Sequence, residues 1–251
     1  MSIILTVRVT FKKIGLMLAI LTVAQGLRAA EFEVGRAKVV LAGDGWQVLD
    51  MADGGKPYNG GVQAKIQSET KVFLKLGADK TVQTVVLIRA SQAGMANGWM
   101  VYSHDCKGND QMYAVGNTGA RTNNYDCLSV WGLYRTSEWV DDLFPELNNK
   151  LKAQQLQLPK AVQPISMHFA NANGSFAEAR VLLAPGFTGV ATQAAADFGT
   201  LPKGVLPSAV GWGQELAKAV RGSVSSLSGR LEVPAIEYTA DGTPPAKVAS
   251  N

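Results

Sequence analysis

The chain has only two histidines, and one of them is followed directly by an acid. His104 precedes Asp105 and Cys106. A histidine oriented by a carboxylate can activate a nucleophile for hydrolysis, and Asp105, Asp110 or Asp126 could supply that carboxylate. Adjacent residues on a strand point to opposite faces, however, and the sequence has no Gly-x-Ser-x-Gly elbow. A hydrolase centred on His104 is therefore an alternative hypothesis and not the first one.

The two cysteines predict a disulfide. Cys106 and Cys127 are the only cysteines of the chain. In an oxidising compartment an isolated pair forms one disulfide, which adds about 3 kcal/mol of stability for a loop of this size. A redox catalyst would carry the two cysteines as Cys-x-x-Cys, which this spacing does not match. Structural zinc needs four ligands, whereas His104, Cys106 and Cys127 together would supply three. We therefore expect neither a redox site nor a metal site.

Aromatic residues are concentrated between positions 99 and 139. This span holds three of the five tryptophans and four of the six tyrosines, interleaved with Asn, Asp and Gly. Rings supply contact area and polar groups supply direction, so the mixture is typical of recognition surfaces. The alternative is that the rings simply pack a region that has few aliphatic side chains. The candidate ligand-binding residues are Trp99, Tyr102, Tyr113, Tyr125 and Trp131.

Charge and glycine motifs argue against several classes of partner. The chain has 24 Lys and Arg against 20 Asp and Glu, but four of the bases and none of the acids lie in residues 1–30. The remainder carries equal numbers of both, so we expect no nucleic-acid partner. The sequence contains no Walker loop, no Gly-x-Gly-x-x-Gly between a strand and a helix, and no Asp-rich calcium loop. We therefore expect no cofactor.

Residues 1–30 have the three parts of a cleavable secretory signal peptide. Lys12 and Lys13 form the basic flank, residues 14–24 form the apolar stretch, and small residues precede a cut predicted near Ala30. That stretch is too short to cross a bilayer, which needs about 20 apolar residues. We expect a periplasmic or extracellular protein with no stable membrane span after cleavage. The alternatives are an uncleaved anchor and a cytoplasmic protein that is not exported.

The elements that position these residues form an α+β fold, with a mainly antiparallel sheet, two main helices and one disulfide-stapled loop region. Period-two alternation predicts the strands, and Asn173-Gly174 between two apolar runs predicts a hairpin that carries His168 on one face. Strands are expected at 32–34, 37–41, 46–51, 69–76, 81–90, 165–171, 175–183 and 230–238.

Glycine and asparagine are frequent in residues 94–132, which predicts loops crossed by short strands at 99–103 and 127–134. Helical periodicity predicts one helix from position 136 or 137 to 158, which Pro145 must kink or restart, and a second helix over 207–226.

We expect one domain over residues 31–238, followed by a flexible tail over 239–251. The first functional hypothesis is non-catalytic binding of a small ligand, a glycan or a protein partner through the aromatic region. The alternatives are the His104 hydrolase and an envelope protein with a structural or assembly role.

Overall fold

The computed structural model describes residues 29–51, 67–77, 80–92, 102–122, 124–136, 145–187 and 204–237. Most of the predicted signal peptide, the whole predicted tail and Trp99 lie outside these ranges. In chain order the elements are β1 (Ala30–Val34), β2 (Ala37–Leu41), β3 (Trp46–Asp50), β4 (Ser68–Leu76), β5 (Val82–Ser91), β6 (Tyr102–Asp105), β7 (Met112–Gly116), β8 (Thr118–Thr122), β9 (Asn124–Trp131), β10 (Tyr134–Arg135), α1 (Pro145–Ala153), β11 (Ala161–Asn171), β12 (Phe176–Leu183), α2 (Pro207–Ser225) and β13 (Arg230–Val233).

The centre of the fold is an eight-stranded antiparallel sheet. Seven of its strands lie in the order β3-β4-β5-β12-β11-β9-β7. The eighth strand, β10, is not part of this order and pairs with β11. Strands β1, β2 and β13 form a second sheet, and β6 pairs with β8 in a third. The prediction of an α+β fold with a mainly antiparallel sheet, two helices and one disulfide is confirmed. The one parallel strand pair among the named strands of the described residues joins β13 to β2.

Local turn chemistry accounts for the central hairpin. Gly174 has a φ of +84°, which favours glycine, and the side-chain oxygen of Asn173 accepts a hydrogen bond from the backbone N–H of Ser175 at 2.9 Å. Strands β11 and β12 then pair in register from Gln163–Leu183 to Ala170–Phe176. The hairpin predicted from Asn173-Gly174 is therefore confirmed.

One face of the large sheet, the inner face, is covered by α2 and the small sheet together. Leu216 and Val220 of α2 are fully buried against strand residues such as Met167 and Val181. The small sheet contacts the same face through Phe32, whose ring lies 4.9 Å from that of Phe73. Helix α2 ends at Ser225, and this is why Leu227, which the helical period predicts to be buried, is exposed.

The opposite face of the large sheet, the outer face, is partly covered by α1. Helix α1 spans Pro145–Ala153 and ends before the predicted position 158, whereas residues 137–144, which would show whether Pro145 kinks or restarts the predicted helix, lie outside the described residues. Leu147 and Leu151 are buried against Val72 and Leu87 of the sheet. Burial of each leucine contributes about 2 kcal/mol. The helix covers only the aliphatic part of the outer face, and polar side chains follow on the same face further along β12.

The disulfide-bounded segment contains more strand than the sequence predicts. Strands β7 and β8 and part of β9 lie inside it. Its glycine and asparagine residues serve strand pairing: a Cβ on Gly116 would lie 2.1 Å from the carbonyl oxygen of Asp126. The side-chain oxygen of Asn117 accepts the backbone N–H of Asp126 at 2.9 Å. Such close approach and side-chain pairing explain why a loop composition occurs in strands.

Candidate functional site

A row of polar side chains crosses the outer face of the large sheet where β5, β12, β11 and β9 lie side by side. Arg89 is paired with Glu178 across β5 and β12. On the other side Glu178 is paired with His168, and His168 is paired with Cys127 of β9. Directly opposed residues have Cβ atoms about 5 Å apart, so these side chains are neighbours. We call Arg89, Glu178 and His168, with Arg180, the polar row.

Arg180 belongs to this group because it stands two residues after Glu178 on β12, and alternation places both on the same face. The Nε of Arg180 donates to the carboxylate of Glu178. The side chain of Glu178 is 10% exposed, whereas that of Arg180 is 33% exposed. The guanidinium group therefore reaches solvent above a carboxylate that lies beneath it.

The environment of Glu178 keeps it ionised. Burial alone would raise the pKa of this carboxyl. The charge of Arg180, the electrostatic influence of His168, the hydrogen bond from Arg180 and the charge of Arg89 together outweigh burial. The pKa of Glu178 therefore lies below its ordinary value.

Aromatic rings flank the imidazole of His168. The ring of Tyr125 lies 4.5 Å from that of His168, and the ring of Phe176 lies 5.9 Å away on β12. Burial, reinforced by the negative charge of Glu178, raises the pKa of Tyr125 to about 12. Its hydroxyl consequently keeps its proton, and with it the ability to donate a hydrogen bond, well above the pH at which an ordinary tyrosine ionises.

Arg89, the second arginine of the polar row, contacts one residue of β4 and one of β12. The Nε of Arg89 donates to the Oγ of Ser68 at 3.0 Å. Its guanidinium carbon lies 5.7 Å from the centroid of the Phe176 ring, within the range of a cation–π interaction. These contacts hold the side chain of Arg89 between Ser68 of β4 and the Phe176 ring of β12.

The predicted disulfide is confirmed and borders the row. Cys106 and Cys127 are bonded, with their Cα atoms 5.6 Å apart. Cys127 faces His168 across β9 and β11. The bond therefore ties the residues that follow β6 to the strand that carries Tyr125.

The structure brings only some of the predicted aromatic residues together. Tyr125 and Trp131 lie on the outer face of β9, where Trp131 contacts Tyr134 edge-to-face at 6.0 Å. Tyr113 is paired with Val130 and packs against the core of the inner face. Trp99 is outside the described residues, and only the backbone of Tyr102 is described, in β6.

The structure describes the side chains of two of the three candidate acids for a hydrolase, Asp110 and Asp126. Asp126 accepts two hydrogen bonds from Arg221 of α2, at 2.8 and 2.9 Å, and so joins the helix to the inner side of β9. Asp110 is exposed. The side chains of His104 and Asp105 are outside the described part of the structure. In the described ranges, no three His, Cys, Asp or Glu side chains come together as metal ligands.

Sequence reasoning identifies the strands of this site and does not identify the row. His168 is predicted as a hairpin-face residue, which agrees with its position on β11. The missed signal is the pair Glu178 and Arg180, two opposite charges two residues apart within an otherwise apolar strand. Such a pair indicates a polar patch on one face of a buried sheet.

No protein-family model, curated protein or solved structure matches this chain. Within the described residues, no helix combines the length and the apolar character needed to cross a membrane.

Proposed function

We propose that this chain is an exported binding protein without catalytic activity, and that it holds a small carboxylate-bearing ligand, such as a sugar acid, over the polar row. One observation carries the proposal: the buried carboxylate of Glu178 is bonded to Arg180 and has Arg89 and His168 opposite it on the neighbouring strands, and the side chain of Arg180 is 33% exposed.

The charge balance of the row favours an anion. Glu178 supplies one negative charge, and Arg89 and Arg180 supply two positive charges even when His168 is neutral. A guanidinium group can satisfy two carboxylates through different N–H groups, and its planar fork suits carboxylates in particular. A ligand carboxylate would therefore meet the exposed side of Arg180 while Glu178 holds the other side.

Tyr125 supplies the aromatic part of the proposed site. Its ring packs against His168 at an interplanar angle of 49°, and its protonated hydroxyl can donate to a sugar or carboxylate oxygen. Of the predicted aromatic residues whose side chains are described, Tyr125 thus has the surroundings that best suit a ligand contact.

The pKa shifts of the site support binding over catalysis. An effective general acid or base has a pKa near the working pH. The pKa of Glu178 is lowered and that of Tyr125 is raised, so both groups are moved away from neutrality. The arrangement holds fixed charges and a fixed hydroxyl proton, as a binding site requires.

Export is supported by the disulfide and by the predicted signal peptide. A structural disulfide persists in oxidising compartments, such as the periplasm or the extracellular space. The hydrolase alternative is weakened because Asp126, one of its three candidate acids, is already bound to Arg221.

The proposal is tested by titrating the protein with glucuronate and with glucose, which has a similar ring without the carboxylate. We expect heat of binding and shifts of the NMR signals of Tyr125 and His168 with glucuronate only, weakening with added salt. The variant Arg180→Met should bind at least about tenfold more weakly, and Arg180→Lys should fall between it and the natural protein.

The matched control is Lys218→Met, which removes one exposed positive charge from α2, on the other side of the sheet. Its affinity for glucuronate should equal that of the natural protein. Equal binding of glucose and glucuronate, equal losses in Arg180→Met and Lys218→Met, or no binding of either sugar would each refute a carboxylate site at the polar row.

A further inference from the structure

His168 is the member of the polar row that can gain or lose a charge in the neutral range. Histidine ordinarily titrates near pH 6.5. The pKa of Glu178 lies below its ordinary value, so this carboxyl stays ionised, and the two arginines keep their charges. Two positive charges and one negative charge give the row a net charge of +1 when His168 is neutral. Protonation of His168 doubles that net charge.

Two aromatic rings flank the half-buried imidazole of His168. The ring of Tyr125 lies 4.5 Å away at an interplanar angle of 49°, and that of Phe176 lies 5.9 Å away at 48°. Tyr125 belongs to β9 and Phe176 to β12, the two strands that pair with β11 on either side. The face of an aromatic ring attracts a cation, so both rings offset part of the cost of placing an imidazolium here.

Charged groups face His168 from the β12 side. Glu178 is directly opposite it, Arg180 stands two residues further along β12, and Arg89 is paired with Glu178 from β5. The carboxylate attracts a proton to the imidazole, and the two guanidinium groups oppose it. None of these three side chains changes its own charge between about pH 5.5 and 8.

The β9 side adds no further charge that changes in this range. The pKa of Tyr125 is raised to about 12, so its hydroxyl stays neutral. Cys127 is held in the disulfide, and Asp126 lies on the inner side of β9, where it is bonded to α2. Lys107 follows the cysteine bonded to Cys127 and keeps its positive charge below about pH 8.

We propose that protonation of His168 strengthens carboxylate binding at the polar row, so that the site binds its ligand at mildly acidic pH and releases it as the pH rises. This inference rests on the carboxylate site of the proposed function. The proton comes from solvent and returns to it. The imidazolium adds a positive charge near the ligand. It also competes with Arg180 for the carboxylate of Glu178, which leaves more N–H groups of Arg180 for the ligand.

The size of the effect follows from the spacing of the strands. His168 and Arg180 are diagonal neighbours on paired strands, which places a ligand on Arg180 about 8 Å from the imidazole. One added unit charge at this distance strengthens binding about twofold in bulk water and about thirtyfold at the effective dielectric constant of a protein surface. We therefore expect an increase between these two limits.

The first test titrates glucuronate into the full chain at four pH values between about 8 and 5.5, at constant ionic strength. Carboxyl groups ordinarily ionise near pH 4, so the charge of the ligand does not change in this range. We expect binding at least about twofold tighter at the lowest pH than at the highest. His168→Gln should lose this difference. The matched control His104→Gln, which replaces the chain's other histidine, should keep it.

The second test needs no substitution. Coupling between two bound species is reciprocal, so glucuronate must shift the titration of His168 as much as the proton shifts the affinity for glucuronate. NMR signals of the imidazole are followed against pH with and without saturating glucuronate. The midpoint of the His168 titration should move to higher pH by about 0.3 to 1.5 units, the logarithm of the expected change in affinity.

The outcomes distinguish this inference from the proposed function. Equal affinity for glucuronate at all four pH values, or a His168 titration that glucuronate does not shift, would overturn the inference and leave the carboxylate site standing. A pH dependence that persists in His168→Gln, or that His104→Gln abolishes, would also overturn it. Absence of glucuronate binding at every pH would overturn both the inference and the proposed function.

Discussion

Replacing both Cys106 and Cys127 by alanine removes the chain's only possible disulfide. The bonded residues are separated by 21 positions in the sequence. Closure of such a loop restricts the unfolded chain and contributes about 3 kcal/mol in the chain-entropy account. Both residues are buried, at 4% and 8% exposure, so alanine fits the space without bringing a polar group into it. We expect the free energy of unfolding to fall by about 3 kcal/mol.

The loss is measured by urea unfolding of the oxidised natural protein and of the double variant, with tryptophan fluorescence as the readout. A fall of about 3 kcal/mol corresponds to a decrease in Tm of about 6–12 °C for a chain of this length. The natural protein, reduced while unfolded and then returned to native buffer with reductant, should match the variant. Reductant should have no effect on the variant.

Entropic stabilisation also predicts the slope of the unfolding curve. Without the cross-link the unfolded chain exposes more surface, so the m-value should rise. Neutral surface substitutions change the free energy of unfolding by up to about 0.5 kcal/mol. The oxidised natural protein and the variant could instead differ by less than that amount. Such a result would refute the view that this bond stabilises the fold.

Three further outcomes are expected. The substitution Arg221→Met should lower stability by about 1 kcal/mol, and a double-mutant cycle with Asp126→Asn should show that the two residues are coupled, because they share a bidentate ion pair at 38% and 20% side-chain exposure. Tyr125 should ionise near pH 12; since its folded pKa is about 12 against an ordinary 10, the contribution of its neutral form to stability is complete below about pH 10 and is lost as pH rises toward 12, and the ultraviolet titration of Tyr125→Phe should lack the phase near pH 12. The substitution Leu147→Ala should cost about 2–5 kcal/mol in thermal or urea unfolding, because this residue is fully buried between α1 and the sheet; a smaller loss would indicate that α1 packs loosely.

Local signals predicted the parts of the fold that local chemistry determines. Asn173-Gly174 identified the β11–β12 hairpin, and Pro207 with the apolar period identified α2. The two cysteines identified their own bond. The final strand was predicted over 230–238 but ends at Val233, because the chain then crosses α2, where the carbonyl of Ala235 accepts a hydrogen bond from the indole of Trp212.

The candidate site could not be predicted in the same way, because it depends on strand order. Arg89 and Glu178 come from distant parts of the sequence and meet only when β12 pairs with β5. His168 joins them through the hairpin, and Cys127 through β9. Alternation tells which residues share a face of a strand, but it does not tell which strands are neighbours.

The position of the β11–β12 hairpin has a consequence for how the chain folds. The hairpin lies between β5 and β9, which precede it in the sequence. Its own turn is local and can form within microseconds, but its docking closes long loops and is therefore slow. Until residues 161–183 have been synthesised, β5 and β9 expose unpaired edges that can pair with other chains. We therefore expect chains truncated before β11 to aggregate more readily than the full chain.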